Sequence, residues 1–242
     1  MRSNPSRLVF ATTAAFGLAA LIALPAALAQ PESGHPAIVK SGNEHHAPSD
    51  AIVLFDGSDL SMWRHTDGRD SEWTIEGDAM VVKPGSGSTV STEKFNDAQI
   101  HLEFATPNEV DGSGQGRGNS GMYLQGRYEV QILDSYENET YPDGQCGAIY
   151  GQQPPLVNAS RGPGEWQSYD VIFRAARFDE SGKRVKPATV TVFHNGVLIH
   201  DHVELEGPTG GSLSPESNMP GPLYLQDHGN LTRFRNIWIR PL

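Results

Sequence analysis

Beyond Asp50, apolar and polar residues alternate in short runs separated by Gly, Pro, Asn and Asp. Ile100, Leu102 and Phe104 alternate with His101 and Glu103, and Tyr169, Val171 and Phe173 with Ser168, Asp170 and Ile172. At the end of the chain Phe234, Asn236 and Trp238 alternate with Arg235, Ile237 and Ile239. A period of two sends successive side chains to opposite faces of a strand, and no stretch holds a helical period through three turns. Residues 190–193 and 197–199 flank Asn195-Gly196, a dipeptide suited to the positive φ angles of a tight hairpin. Roughly a dozen such strands predict a single all-β domain, either a two-sheet sandwich or a closed barrel.

The most unusual run is residues 114–135, a glycine-rich loop leading into two short strands joined at Gly126. One face carries Asn119, Tyr123, Gln125, Arg127, Glu129 and Gln131; the other carries Ser120, Met122, Leu124, Tyr128, Val130 and Ile132. Amides, an arginine and a carboxylate side by side suit a polar ligand such as a sugar better than plain solvation. A second polar constellation lies at residues 222–230. There Tyr224, Gln226 and His228 share one face and Leu223 and Leu225 the other. If both runs belong to one sheet, His228 and Glu129 flank a common ligand. Asp227 falls in the core phase and reads as a turn-capping carboxylate.

Composition narrows the setting. Arg2 and Arg7 precede a small apolar run, and Ala27-Leu28-Ala29 offers a small-x-small cleavage site. Residues 1–29 therefore read as a signal peptide, with no stable membrane insertion after cleavage and a periplasmic or secreted destination in a bacterium. An N-terminal membrane anchor is the alternative. Residues 30–50 are polar and aperiodic, a flexible tether, which leaves 51–242 as the domain. The net charge of −11 becomes −13 without the leader, which argues against nucleic acid as a partner. Cys146 is alone, so it forms no internal disulfide and reads as a small buried thiol.

Several candidates stay open at this stage. Arg117 rides on the glycine-rich loop, where it either serves a cleft or is merely solvated. Asp134 lies five residues after Glu129, and a strand bulge would return it to the cleft face; without one it closes a turn. Two carboxyl groups about 5–5.5 Å apart would suit a retaining glycosidase, but Gln131 stands between them. His200 and His202 share a strand phase but lack an identifiable third metal ligand, so a solvated edge strand is favoured. Trp166 suits either a sugar platform or the core.

From Ile52 onward the chain resembles the 3-keto-disaccharide hydrolase family. The resemblance is carried by LFDGSDLSMW, WTIEGDAMVVKPG, GQGRGNSGMYLQGRYEVQILDSY, DGQCGAIYGQQPPLVNASRGPGEWQSYDVIF, TVFHNGVLIHDHVEL and GPLYLQDHGNLTRFRNIWIRPL. It implies a concanavalin A-like jelly-roll sandwich of two antiparallel sheets. It also implies a secreted bacterial enzyme acting on 3-keto glycosides made by a companion sugar oxidoreductase.

Oxidation at C3 acidifies the C2 proton. A base can then remove it, the C1 substituent is eliminated, and water adds to the enone. Strand phase assigns Glu129 and His228 as acid and base in either order, with Asp134 as an alternate acid. Arg127 or Arg117 is expected at the enolate oxygen. Asn119, Gln125, Gln131 and Gln226 would hold hydroxyls, and Tyr123 or Tyr224 would line the sugar. No cofactor and no metal ligand set is called for, although a divalent cation at the enolate, or a structural calcium in the loop at 141–144, stays open. The competing classes are a non-catalytic carbohydrate-binding module and a conventional retaining β-glucanase.

Overall fold

The alternating runs form fifteen strands and two single-turn 3-10 helices in a computed structural model that describes residues 35–43 and 46–242. The expected leader lies outside the described residues. One sheet holds β1 (Ile52–Phe55), β3 (Thr74–Glu76), β4 (Ala79–Val81), β6 (Ala98–Ala105), β9 (Gln167–Arg174), β12 (Thr189–His194), β13 (Val197–Glu204) and β15 (Arg233–Pro241). Its order is β13-β12-β9-β6-β15-β4-β3, with β1 also paired to β15. The second sheet contains β2 (Trp63–His65), β5 (Thr89–Phe95), β7 (Ser120–Leu124), β8 (Tyr128–Ile132) and β14 (Gly221–Leu225), in the order β2-β5-β14-β7-β8. A small ribbon pairs β10 (Arg177–Phe178) with β11 (Arg184–Lys186). The pairings between these strands are antiparallel, and the architecture is a jelly-roll sandwich.

Apolar faces of the two sheets meet in one core. Ile100, Leu102, Phe104, Val171 and Phe173 come from the large sheet and Met122, Leu124, Val130, Ile132, Leu223 and Leu225 from the small one. Rings bridge the layers, with Phe173 at 5.7 Å from Tyr128 and 6.2 Å from Phe95. The Tyr169 hydroxyl also crosses the core and donates to the Gln131 carbonyl at 2.6 Å. Burial on this scale supplies the main driving force for such a fold.

Alternation predicts these strands correctly until the backbone leaves the β region. Asn195 and Gly196 have φ of 53° and 76° and close the expected β12–β13 hairpin. In β15, Asn236 adopts φ 47° inside a register shift. That bulge reverses the phase: Ile237 and Ile239 enter the core, while Trp238 turns out to stack on His101 at 5.3 Å. The shared face expected for His200 and His202 fails for the same reason. Register shifts interrupt β13, and His200 is buried against the Gly147 carbonyl at 2.7 Å. His202 is exposed, with φ 48°. Part of the expected tether is also shaped. Ser49 N donates to the Lys40 carbonyl and Lys40 N to Ser49 Oγ, and Asp50 accepts from Arg240 at 2.7 Å.

β7 and β8 are buried on both faces, because the segment around 209–219 covers the polar side. Thr209 N donates to the Arg127 carbonyl, Leu213 N to the Gly126 carbonyl, and Glu129 N to Thr209 Oγ1. Arg127 fastens the rest, bonding Ser214 Oγ, Ser217 Oγ and the Met219 carbonyl at 3.1–3.2 Å. Tyr128 adds a 2.6 Å bond to Glu216. Replacing Arg127 by Met keeps the apolar stem and removes these donors. The variant is expected to lose about 1–3 kcal/mol of stability and to expose residues 209–219 to faster amide exchange, measured by denaturant titration and hydrogen exchange.

Candidate active site

The site is built on the β7–β8 hairpin and the strand next to it. Tyr123 pairs with Glu129, Gly121 with Gln131, and Tyr123 also with Tyr224 of β14. Side chains directly opposite on antiparallel strands sit close enough to interact. Gly121 is a requirement of that closeness, since a Cβ there would overlap Glu129 Oε1. Beyond β14, Gln226 N donates to the Gly121 carbonyl and Ser120 Oγ to the Gln226 carbonyl. The exposed His228 is thereby carried past the end of the strand, on the side occupied by Glu129.

Together these elements enclose a cavity of about 140 Å³ lined by Asn119, Tyr123, Glu129, Gln131, Tyr150, Gly210, Gly211, Gln226 and His228. Larger hollows exist, including one of about 590 Å³ around Phe95, Arg177 and Pro241. Of its acids Asp50, Glu93 and Asp97, Asp97 is paired with Arg177 at 2.6 Å and Asp50 with Arg240 at 2.7 Å, so size alone does not identify the chemistry.

Glu129 is the electrostatic centre. Burial raises its pKa to about 8, against a smaller opposing effect of the Tyr123 hydrogen bond. A carboxyl group in this state is mostly protonated at neutral pH, as desolvation disfavours its charged form. The Tyr123 hydroxyl lies 2.9 Å from Glu129 Oε2, 2.9 Å from the Gly210 carbonyl and 3.3 Å from Gln226 Nε2. Burial, and then the charge of Glu129, raise the pKa of that phenol.

The amides are oriented by what lies behind them. The Gly144 carbonyl can only accept, so Gln115 turns its Nε2 to it at 2.8 Å, leaving Oε1 to accept from Gln131 Nε2 at 2.9 Å. Gln131 Oε1 is consequently buried without a partner, and so is Gln226 Oε1. Unmade hydrogen bonds of this kind are costly, and ligand hydroxyls can complete them.

Six residues expected from strand phase therefore share one cavity: Asn119, Tyr123, Glu129, Gln131, Gln226 and His228. Five others do not line it. Gln125 has φ 54° and sits with Gly126 in the tight turn, where alternation no longer applies. Its amide bonds the Phe95 carbonyl at 2.8 Å. Arg127, just past that turn, is buried and fastens the covering segment. Tyr224 stacks on Tyr123 at 4.4 Å and backs its ring. No bulge interrupts β8, so Asp134 closes a turn: it is buried, pairs with Arg117 at 2.7 Å and accepts from Tyr136 N. Arg117 also donates to the Tyr136 and Glu137 carbonyls. Both arginines expected at the enolate are thus committed elsewhere.

Tyr150, Gly210 and Gly211 are contacts that alternation misses. Two belong to a loop, and Tyr150 follows isolated bridges at Ile149 rather than a strand. Trp166 lies away from the cavity under Arg235, 4.1 Å from its ring centroid. Burial raises the pKa of the Cys146 thiol, which meets Tyr169 Oη at 3.1 Å. Asp227 caps a turn through Gly87 N and Gly229 N. Among the described residues no three His, Cys, Asp or Glu side chains gather as a metal set. The cavity itself offers one carboxyl and one imidazole.

Comparison with known proteins follows this geometry. A family model described as a 3-keto-alpha-glucoside-1,2-lyase-like domain matches residues 50–240. A crystal structure of a proposed glycosyl hydrolase from Parabacteroides distasonis ATCC 8503 is 44% identical, with TM-score 0.82, over 89% of this chain and 94% of that one. A second proposed glycosyl hydrolase from the same organism shares the fold at TM-score 0.58 and 19% identity, covering 80% of this chain and 94% of its own. No curated protein matches. The chain belongs to the 3-keto-alpha-glucoside-1,2-lyase-like domain family.

Proposed function

We propose that the protein is a secreted enzyme that cleaves the glycosidic bond of 3-keto glycosides by elimination across C1 and C2. One observation carries this reading: a carboxyl group held protonated near neutrality shares a small polar cavity with an imidazole. Glu129 is the only carboxyl among the residues lining that cavity. A retaining glucanase needs two, and Asp134, the other candidate, is bound to Arg117. Elimination needs only one acid and one base.

The family description, a 1,2-lyase, supports the same bond change. His228 takes the C2 proton, and the C2–H electron pair moves into the enolate. The C3 carbonyl then re-forms as the C1–O bond breaks, and Glu129 protonates the departing oxygen. Water adding to the resulting enone gives a 3-keto monosaccharide, so the net result is hydrolysis. Gln131 Oε1 and Gln226 Oε1 accept from the remaining sugar hydroxyls, and Asn119 and Tyr123 complete the walls.

Purified protein offered matched native and 3-keto disaccharides is expected to release product from the keto form alone. Cleavage of the unoxidised sugar, or tight binding without turnover, would overturn the reading. His228→Ala and Glu129→Gln are each expected to lower kcat on the keto substrate by about a hundredfold or more, the range for losing a general acid or base.

The protonation state of Glu129 also has a stability signature. Its pKa rises on folding from an ordinary 4.5 to about 8. Folding therefore favours the proton-bound form, and wild-type stability is lost as pH climbs through that interval. Glu129→Gln removes the loss. Its melting temperature should match wild type near the acid end and exceed it increasingly towards pH 8, measured by calorimetry across the range. Because the acid must hold its proton, kcat/KM should also fall on the alkaline side, near the pKa of Glu129.

A further inference from the structure

The elimination just proposed lacks a donor for the enolate oxygen, and the hydrogen bonds of the cavity show which groups are already engaged. Asn119 Nδ2 donates to the Gln115 carbonyl at 2.7 Å, and Gln131 Nε2 to Gln115 Oε1. Gln226 Nε2 is on the Tyr123 hydroxyl, whose own proton lies between Glu129 and Gly210. Arg117 and Arg127 are bound outside the cavity. Apart from His228, assigned as the base, one lining side chain is bonded to no amide, carbonyl or carboxyl group. The Tyr150 hydroxyl meets only another hydroxyl, that of Tyr141, at 2.5 Å.

We propose that Tyr150 donates to the C3 oxygen of the substrate as it becomes an enolate, and that Tyr141 is the positioning residue that backs it. The inference rests on the elimination reading. Either oxygen of the tyrosine pair can donate. An anion in the cavity selects the arrangement in which Tyr141 donates to Tyr150 and Tyr150 donates to the anion. A chain of two hydroxyls polarises its terminal O–H, and a donor aimed where charge develops lowers the barrier to forming it. No proton is transferred from Tyr150: the C2 proton goes to His228, the negative charge rests on the C3 oxygen, and the hydrogen bond stabilises it.

The placement is fixed from several sides. Tyr150 N donates to the Glu129 carbonyl at 3.2 Å, so the phenol is tied to the strand that carries the acid. Gly151 N bonds the Asp143 carbonyl at 2.9 Å, joining the two loops that bear the tyrosines. The Tyr141 ring packs on Gly144, where any Cβ would overlap it. Burial, and then the bond to Tyr150, push the Tyr141 phenol up to about 12. Tyr141 therefore keeps its proton over the working pH range.

The test follows both cleavage and exchange of the C2 proton of a 3-keto glycoside into D2O, by NMR. Tyr150→Phe is expected to lower kcat and C2 exchange together by about a hundredfold or more, the scale of one oxyanion donor, with KM little changed. Tyr141→Phe, which leaves the Tyr150 hydroxyl in place, should lower both by roughly tenfold, about one net hydrogen bond. Its use keeps the inference testable even where Tyr150→Phe folds poorly. Glu129→Gln should lose cleavage more than exchange, separating leaving-group protonation from enolate formation. Wild-type exchange rates in Tyr150→Phe, alongside an active wild type, overturn this inference alone. A wild type inert towards every 3-keto glycoside overturns the inference and the function together.

Discussion

The site depends on a carboxyl group kept out of water. Glu129 sits on a strand covered on both faces, and its surroundings accommodate the neutral form better than the anion. The Tyr123 phenol has one proton but faces two acceptors, Glu129 and the Gly210 carbonyl. With Glu129 ionised, one acceptor goes without. With Glu129 protonated, the acid donates to the phenol, the phenol donates to Gly210, and Gln226 fills the second lone pair. The acid, the phenol and the Gly210 carbonyl then each have a partner, which is the condition for polar groups to be tolerated in a protein interior. Desolvation thus prevails over the opposing pull of the Tyr123 hydroxyl on the ionised form.

Much of the surrounding structure serves this burial. Gly121 makes room for Glu129 by having no side chain of its own. The segment at 209–219 seals the polar side, and Arg127, the residue that sequence phase aimed at the ligand, holds it down. Thr209 occupies both the Glu129 amide and the Arg127 carbonyl, so the cover and the acid are joined through main-chain atoms. Tyr224 supports Tyr123 by ring stacking instead of presenting its own face to the cavity.

Sequence alternation carried the fold and the centre of the site because both are made of strands. The strands and the meeting of Glu129 with His228 follow from a period of two, whereas the sandwich came with the family resemblance and the β12–β13 hairpin with the Asn195-Gly196 dipeptide. The same rule fails wherever φ turns positive. Gln125 enters the turn, Asn236 reverses the phase of β15, and His202 parts from His200. Asp134 was ambiguous because a bulge, which one sequence cannot reveal, would have redirected it. Tyr150 was invisible for a different reason. It follows an irregular stretch with no period, and only the fold brings it beside Glu129.

The two unpartnered amide oxygens have a consequence for what leaves the site. Water satisfies an amide acceptor nearly as well as a sugar hydroxyl does, so exchanging one for the other yields little net free energy. A monosaccharide held mainly by such exchanges is retained weakly. Discrimination arises instead against compounds that bring no hydroxyl, since they would strand Gln131 Oε1 and Gln226 Oε1 in a dry cavity. Such a pocket is choosy about entry yet quick to empty, which suits the proposed elimination, whose product is a small polar sugar.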